Sequence, residues 1–268
     1  MPQISKKGII VCADDFGLSR AVNKGVVRLL ESSRISAVSC LVTGSAWQEG
    51  YPKLLHHQSD ADIGLHLVFN NYKFGKIVRY SLLRKIDKNA ILDSFRQQFN
   101  RFCHDMKRNP DFIDGHEHIH QLPLFRRALL ELIEGAGESR IYIRNSSLAL
   151  SGIFNARVSI VKNLLISSAG TSLKRLLNEH GLKTNDSLLG LYNFKSRAAF
   201  KDIFKRFIRI AKPWNTVFLV HPADDGAQET DADDQHSQRR MEELSYLMSD
   251  DYIKELERLG FSLTRFNH

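Results

Sequence analysis

Four separated stretches of this 268-residue chain carry side chains able to do chemistry on water. The first is the pair Asp14-Asp15 and the second is His66. The third is Asp114 with His116, His118 and His120, and the fourth is His221. Alternate residues of an extended chain point the same way, so His116, His118 and His120 are expected to share one side. Three imidazoles held together repel when protonated, and a metal ion removes that conflict because a ligating histidine is neutral. One carboxylate with two imidazoles suits Zn²⁺ or another hydrolytic divalent ion, with a position left for water. A second carboxylate beside that water can serve as general base, while the ion acidifies the water and polarises a carbonyl or phosphoryl oxygen. Taken singly, each stretch has a plainer explanation. Asp-Asp before Phe-Gly is turn and cap chemistry, His66 is a hydrogen-bonded core residue, and HEHIH is a surface cluster. Their joint placement is what argues for metal-assisted hydrolysis.

That placement comes from the elements between them. Short β-branched runs predict strands over Lys7–Ala13, Ser36–Thr43, Asp62–Phe69, Asp111–Gly115, Arg140–Arg144, Thr216–Val220 and Phe261–Phe266. Helices are expected from Ser19, as N-cap, to about Glu31, then from Trp47 to about His57, over Asn89–Lys107 and from Pro123 to Glu134. Further helices are expected over Asn155–His180 with a break at Ser167–Gly170, and over Ser196–Ala211, Gln238–Met248 and Asp251–Leu259. Asn70–Lys88, rich in Tyr, Lys and Arg, reads as a long loop. Strands separated by helices imply parallel βαβ units, hence a barrel or a doubly wound sheet in one domain. In either, the C-terminal ends of the strands gather on one face, and there the four stretches would meet.

Composition excludes several other classes. The chain is 43% hydrophobic and 25% charged, as in a globular protein. No apolar run reaches the length of a membrane span, and the start of the chain has no signal-peptide core. Cys12, Cys40 and Cys103 are an odd, scattered set, which fits a reducing cytoplasm better than a disulfide framework. The net charge of +8 invites nucleic acid as a partner, yet no nucleic-acid motif is present. Tyr72, Phe74 and Tyr80 could stack on a sugar ring. Lys73, Lys76, Arg79, Arg84 and Lys85 would suit an anionic substrate or a peripheral contact with a membrane. Ser151–Ile166 is apolar enough for a lipid-facing helix, although a core helix is the commoner origin of such a run.

ADDFGLS (Ala13–Ser19), GLHL (Gly64–Leu67), DGHEHIH (Asp114–His120) and VHPAD (Val220–Asp224) resemble, in order and spacing, the YdjC-like carbohydrate deacetylases. That group includes the chitooligosaccharide deacetylases and the hopanoid-associated HpnK-like proteins. RMEELSYLMS (Arg240–Ser249) extends the resemblance towards the C-terminus. It implies an α/β fold, a single distorted TIM-like (β/α) barrel over residues 1–268 related to the NodB-type polysaccharide deacetylases. It also implies a metal-dependent hydrolase that removes an N-acetyl group from an amino sugar. A homo-oligomer is expected as well. Carried over by position, Asp15, His66 and His116 would hold one divalent ion, Mg²⁺ or Zn²⁺. Asp14 would be the general base, and His221 the general acid or oxyanion stabiliser. Arg240 and Glu243 would orient substrate or ligands, with Asp114, His118 and His120 near them. Gly115 and Glu117 depart from a run that is often Ser and His in relatives; strand alternation points Glu117 away from His116. The rival readings are a metal-dependent phosphoesterase, which wants a second ion and more carboxylates, and a non-catalytic metal- or carbohydrate-binding relative. The mouth of the site is expected in Asn70–Lys88, Ser146–Lys174 and Asp225–Gln238.

Overall fold

Apolar residues fill both faces of Lys7–Phe16 (β1), which is buried at every position after Lys7. A strand of that kind belongs in the middle of a covered parallel sheet. The computed structural model, which describes residues 7–69, 72–137, 141–147, 160–224 and 236–266, places it there. Ala37–Cys40 (β2), Asp62–Leu67 (β3), Phe112–Gly115 (β4) and Tyr142–Ile143 (β5) follow on one side of β1. Thr216–Val220 (β7) and Ser187–Leu189 (β6) follow on the other, and every pairing is parallel. The two ends of this order meet, because Ile143 of β5 forms a parallel bridge with Thr184, just ahead of β6. The sheet therefore curls into a barrel closed by a single bridge. Phe261–Leu263 (β8) pairs with the first residues of β1, at the foot of the barrel.

The helices form the outer layer: Arg20–Glu31 (α1), Trp47–Leu54 (α2), Phe74–Leu82 (α3), Lys88–Met106 (α4), Pro123–Ala136 (α5), Ile160–Glu179 (α6), Phe200–Ile208 (α7), Ser237–Met248 (α8) and Asp250–Arg258 (α9). Strand alternation splits the core in two. Ile9, Val11 and Ala13 pack outwards with Val22, Val26 and Leu29 of α1. Ile10 and Cys12 pack inwards with Phe112, Tyr142, Val217 and Phe266. The Phe266 ring centroid lies 4.6 Å from that of Phe112 and 4.5 Å from that of Tyr142, closing the foot of the barrel. Gly64 of β3 leaves room for the Phe112 ring, which a Cβ would meet at 2.4 Å. Above this apolar layer the inward positions turn polar: Asp14, Ser39, His66, Asp114 and Arg144 are all buried.

Several expectations need correction. Within Asn70–Lys88 stands α3, whose apolar residues Phe74, Val78 and Leu82 recur every fourth position among cations. The break expected at Ser167–Gly170 is absent, and α6 runs through it. Gly170 serves a close approach instead, with its carbonyl accepting from Asn145 Nδ2 at 2.7 Å. Strand β6 was not expected, being too short for a pattern to show. HEHIH is not an extended chain. His116–Gln121 forms a tight 3₁₀ segment in which Glu117 (φ 51°) and His118 (φ 63°) are both left-handed, so alternation does not hold there. Most of Ser146–Lys174 before Ile160, and 225–235, lie outside the described residues, as does most of the apolar run Ser151–Ile166.

Candidate active site

Two adjacent aspartates on a regular strand would face opposite sides of it. In β1 they do not, because the register slips between Ala13 and Phe16 and Asp15 takes a left-handed backbone at φ 69°. A bulge of this kind re-aims a side chain, at a conformational cost of about 1–3 kcal/mol for a non-glycine residue. Both carboxylates thereby enter the buried polar layer, and Gly17 (φ 99°) turns the chain into α1. Ser19 caps that helix by accepting from Val22 N–H at 3.3 Å.

Asp14 lies against Arg144, whose Nη1 and Nη2 donate to its two oxygens at 2.5 and 2.7 Å. The same guanidinium pairs with Asp114 Oδ2. Arg144 is fully buried, yet the carboxylates around it outweigh its desolvation and hold it protonated. Burial would raise the Asp114 carboxyl, but Arg144 and His66 more than offset this and hold it well below the usual carboxylate range. Asp114 Oδ1 accepts from Ser39 Oγ at 2.7 Å and from His66 Nδ1 at 2.5 Å. With its Nδ1 proton given to Asp114, the His66 ring turns the lone pair of Nε2 towards Asp15.

Asp15, His66 and His116 form a second group above this one. His66 Nε2 is 3.7 Å from Asp15 Oδ1, beyond hydrogen-bond range, and His116 Nδ1 is 3.1 Å from the same oxygen. The three ligand atoms all lie within 4.8 Å of one another. Arg240 of α8 reaches Asp15 Oδ2 at 2.8 Å. Burial would raise the Asp15 carboxyl, but the His116 hydrogen bond and the Arg240 charge hold it well below its ordinary value. Burial would likewise lower the His116 imidazole, yet its bond to Asp15 raises it. Three buried carboxylates here face two guanidinium groups, so the pocket carries an excess of negative charge suited to a cation. A carboxylate-supported histidine, a second histidine and a carboxylate make a donor set that fits a divalent metal ion.

His221 follows β7, and the Asp15 and Asp14 charges act on its ring. Burial nonetheless lowers its imidazole to about 4, leaving it neutral at pH 7. Glu243 of α8 accepts the His221 backbone N–H at 2.5 Å and the Tyr192 hydroxyl. Burial outweighs those two bonds and pushes the Glu243 carboxyl up to about 7. The other two histidines of HEHIH are drawn away from His116. His118 Nδ1 pairs with Ser146 Oγ at 2.9 Å, and His120 Nε2 donates to the Arg144 carbonyl at 2.8 Å. Burial lowers both imidazoles, that of His120 to about 4. The expected row of three imidazoles on one side is therefore incorrect: His116 alone joins the group, and His120 braces the strand end that carries Arg144. Glu117 is exposed, at the first of the two left-handed positions of this turn.

Arg144, Ser39 and Tyr192 were not foreseen as site residues. The signal for Arg144 was present in RIYIR, where Tyr142 and Arg144 are two apart and so share the inward face.

Known proteins place this geometry in a wider group. A chitooligosaccharide deacetylase of Serratia marcescens is 29% identical over 133 residues, 44% of this chain and 52% of that protein. The chain thus spans about half the length of this curated relative. A crystal structure from Enterococcus faecalis V583, of a protein named for cellobiose-phosphate cleavage, matches at a TM-score of 0.69 with 19% identity, over 98% of both chains. The Bc1960 peptidoglycan N-acetylglucosamine deacetylase matches at a TM-score of 0.52 with 11% identity, over 98% of this chain and 87% of that one. At these identities the two structures speak for the fold alone, a curled parallel α/β barrel that this chain shares with both. The description "YdjC-like protein" belongs to a family whose sequence profile matches residues 8–258, and with that match over nearly its whole length the chain belongs to the YdjC-like family.

Proposed function

We propose that the chain is a metal-dependent carbohydrate N-deacetylase, hydrolysing the acetamide of an N-acetylated amino sugar. One observation carries this reading: the bulge at Asp14-Asp15 brings two neighbouring carboxylates into one pocket with different partners. Asp15 faces His66 and His116, while Asp14 is held by Arg144. Asp15, His66 and His116 would hold the divalent ion, Mg²⁺ or Zn²⁺, which when bound acidifies water and polarises the acetyl carbonyl. Asp14 accepts the proton of the attacking water. Arg144 fixes the direction of that carboxylate, and Asp114 fixes that of the His66 ring. His221, neutral at pH 7, would stabilise the developing oxyanion through a ring N–H, and the proton taken up by Asp14 passes to the departing amine. The deacetylase relative supports the reaction class, and a carbohydrate substrate accords with its name.

The phosphoesterase alternative is disfavoured by Arg144. A second ion would draw on Asp14 and Asp114, whose ligand atoms also cluster with His66. A buried guanidinium already bridges those two carboxylates. The test is acetate release from N,N′-diacetylchitobiose and a panel of N-acetylated amino sugars, alongside phosphate release from phosphomonoesters. The expected result is acetate with an equal amount of free amine, abolished by chelator and restored by Mg²⁺ or Zn²⁺. Phosphate release without acetate would overturn the reading.

A further inference from the structure

Helix α3 presents two apolar faces where a surface helix needs one. Ile77 and Ser81 are buried in the core. Phe74, Val78 and Leu82, one turn apart, line a separate cavity of about 530 Å³ with Leu122, Pro123 and Ile166. Its lining also includes Glu117 and His118, the two residues that follow His116 in the chain. At the end of α3, Leu82 and Leu83 are 60% and 54% exposed. Among the described residues, the other exposed large apolar side chains, Leu55, Trp214 and Met241, lie far apart in sequence on other segments.

Along the segment that carries these leucines the charge has one sign. From Tyr72 to Ile86 the chain carries Lys73, Lys76, Arg79, Arg84 and Lys85 and no acid. Lys76 lies over the rings of Tyr72 and Tyr80, at 4.6 and 5.2 Å. Lys73, Arg79, Arg84 and Lys85 form no ion pair among the described residues. Neither does Arg126, which lines the cavity and whose guanidinium loses basicity through burial and the neighbouring Arg127. A solvated basic helix would not need paired exposed leucines, and a protein-packing face would not need six unbalanced cations. Together they match the requirements of an interfacial helix: apolar residues to enter the acyl boundary and cations to meet anionic headgroups.

We propose that α3 and the turn after it dock the protein on an anionic lipid bilayer, with Leu82 and Leu83 inserted and the basic residues on the headgroups. Docked this way, Leu82, which also lines the apolar cavity, lies at the bilayer. No helix among the described residues is long and apolar enough to cross a membrane, so the contact is peripheral. The proposal stands apart from the catalytic reading, because its readout is binding without substrate.

The test is co-sedimentation of the purified chain with phosphatidylcholine vesicles, with and without phosphatidylglycerol, across a salt series. Binding should rise at least about tenfold with phosphatidylglycerol and fall as salt is added. Leu82→Glu with Leu83→Glu, both exposed and so compatible with folding, should lower it about tenfold, and Arg79→Gln with Lys85→Gln should flatten the salt dependence. Equal binding to both vesicle types, or binding to neither, would overturn the proposal. So would phosphatidylglycerol binding that the leucine changes leave intact and that soluble heparin matches, since that describes a polyanion site rather than a bilayer surface.

Discussion

Glu243 and Arg144 show how single side chains hold the pocket together by opposite means. Arg144 is a buried cation among carboxylates; removing one partner of such a set leaves charge uncompensated, at about 3–5 kcal/mol. Glu243 is a buried acid whose affinity for its proton is raised, to a pKa of about 7. The folded chain therefore keeps that proton where the unfolded chain has released it. Its contribution to stability is complete below the unfolded value of 4.5 and is lost as pH rises towards 7. Glu243→Gln, which does not titrate, should cost more stability at pH 5 than at pH 8, as measured by urea midpoints. An equal cost at both would mean that Glu243 is ionised throughout. Neither behaviour was legible beforehand. The sequence displays Asp14, Asp15, His66 and His116 because they stand in short motifs. Arg144 stands in none, and its importance comes from two carboxylates that are distant in sequence.

Among the elements, β1 and the segment after β4 show where pattern reading succeeds and fails. Strand periods located β1, β3, β4 and β7, although β1 runs on to Phe16 past the expected end at Ala13, and so found the segments that carry the chemistry-bearing residues. Backbone departures decided the rest. The bulge puts Asp14 and Asp15 in one pocket, and the left-handed Glu117 and His118 separate three histidines that alternation would align. Positive φ at Asp, Glu and His leaves no mark in a hydrophobic period. Helix α3 was missed because its buried face holds only Ile77 and Ser81, and cations crowd the remainder. Packing inside the barrel gives a direct test of the strand register. The inward position of β3 at Gly64 is filled by Phe112 from β4, so Gly64→Ala forces the ring aside. We expect a loss of about 1–3 kcal/mol, seen as a lower Tm, with the far-UV spectrum retained. A neutral substitution would place Phe112 elsewhere.

At the scale of the molecule, the barrel sorts its interior by height. An apolar foot of Ile10, Phe112, Tyr142 and Phe266 supports a polar layer of Asp14, Ser39, His66, Asp114 and Arg144, with Asp15, His116 and His221 at the rim. The foot gives rigidity and the layer above fixes charge. The rim holds the ligand group and the donor that together would do the chemistry. The family resemblance and the parallel barrel were both readable from the order of motifs; the closing bridge and the pairing of Arg144 with Asp14 and Asp114 were not, because each depends on strands meeting around the ring. The central claim is that adjacent aspartates divide the work, Asp15 towards the metal and Asp14 towards water. Metal titration by calorimetry, together with acetate release, on Asp14→Asn and Asp15→Asn tests it most directly. Asp14→Asn should bind metal as the unaltered chain does while releasing acetate about 10²–10⁴-fold more slowly, and Asp15→Asn should lose both properties. An Asp14→Asn protein with near-normal acetate release, or an Asp15→Asn protein with undiminished metal affinity, would contradict the account.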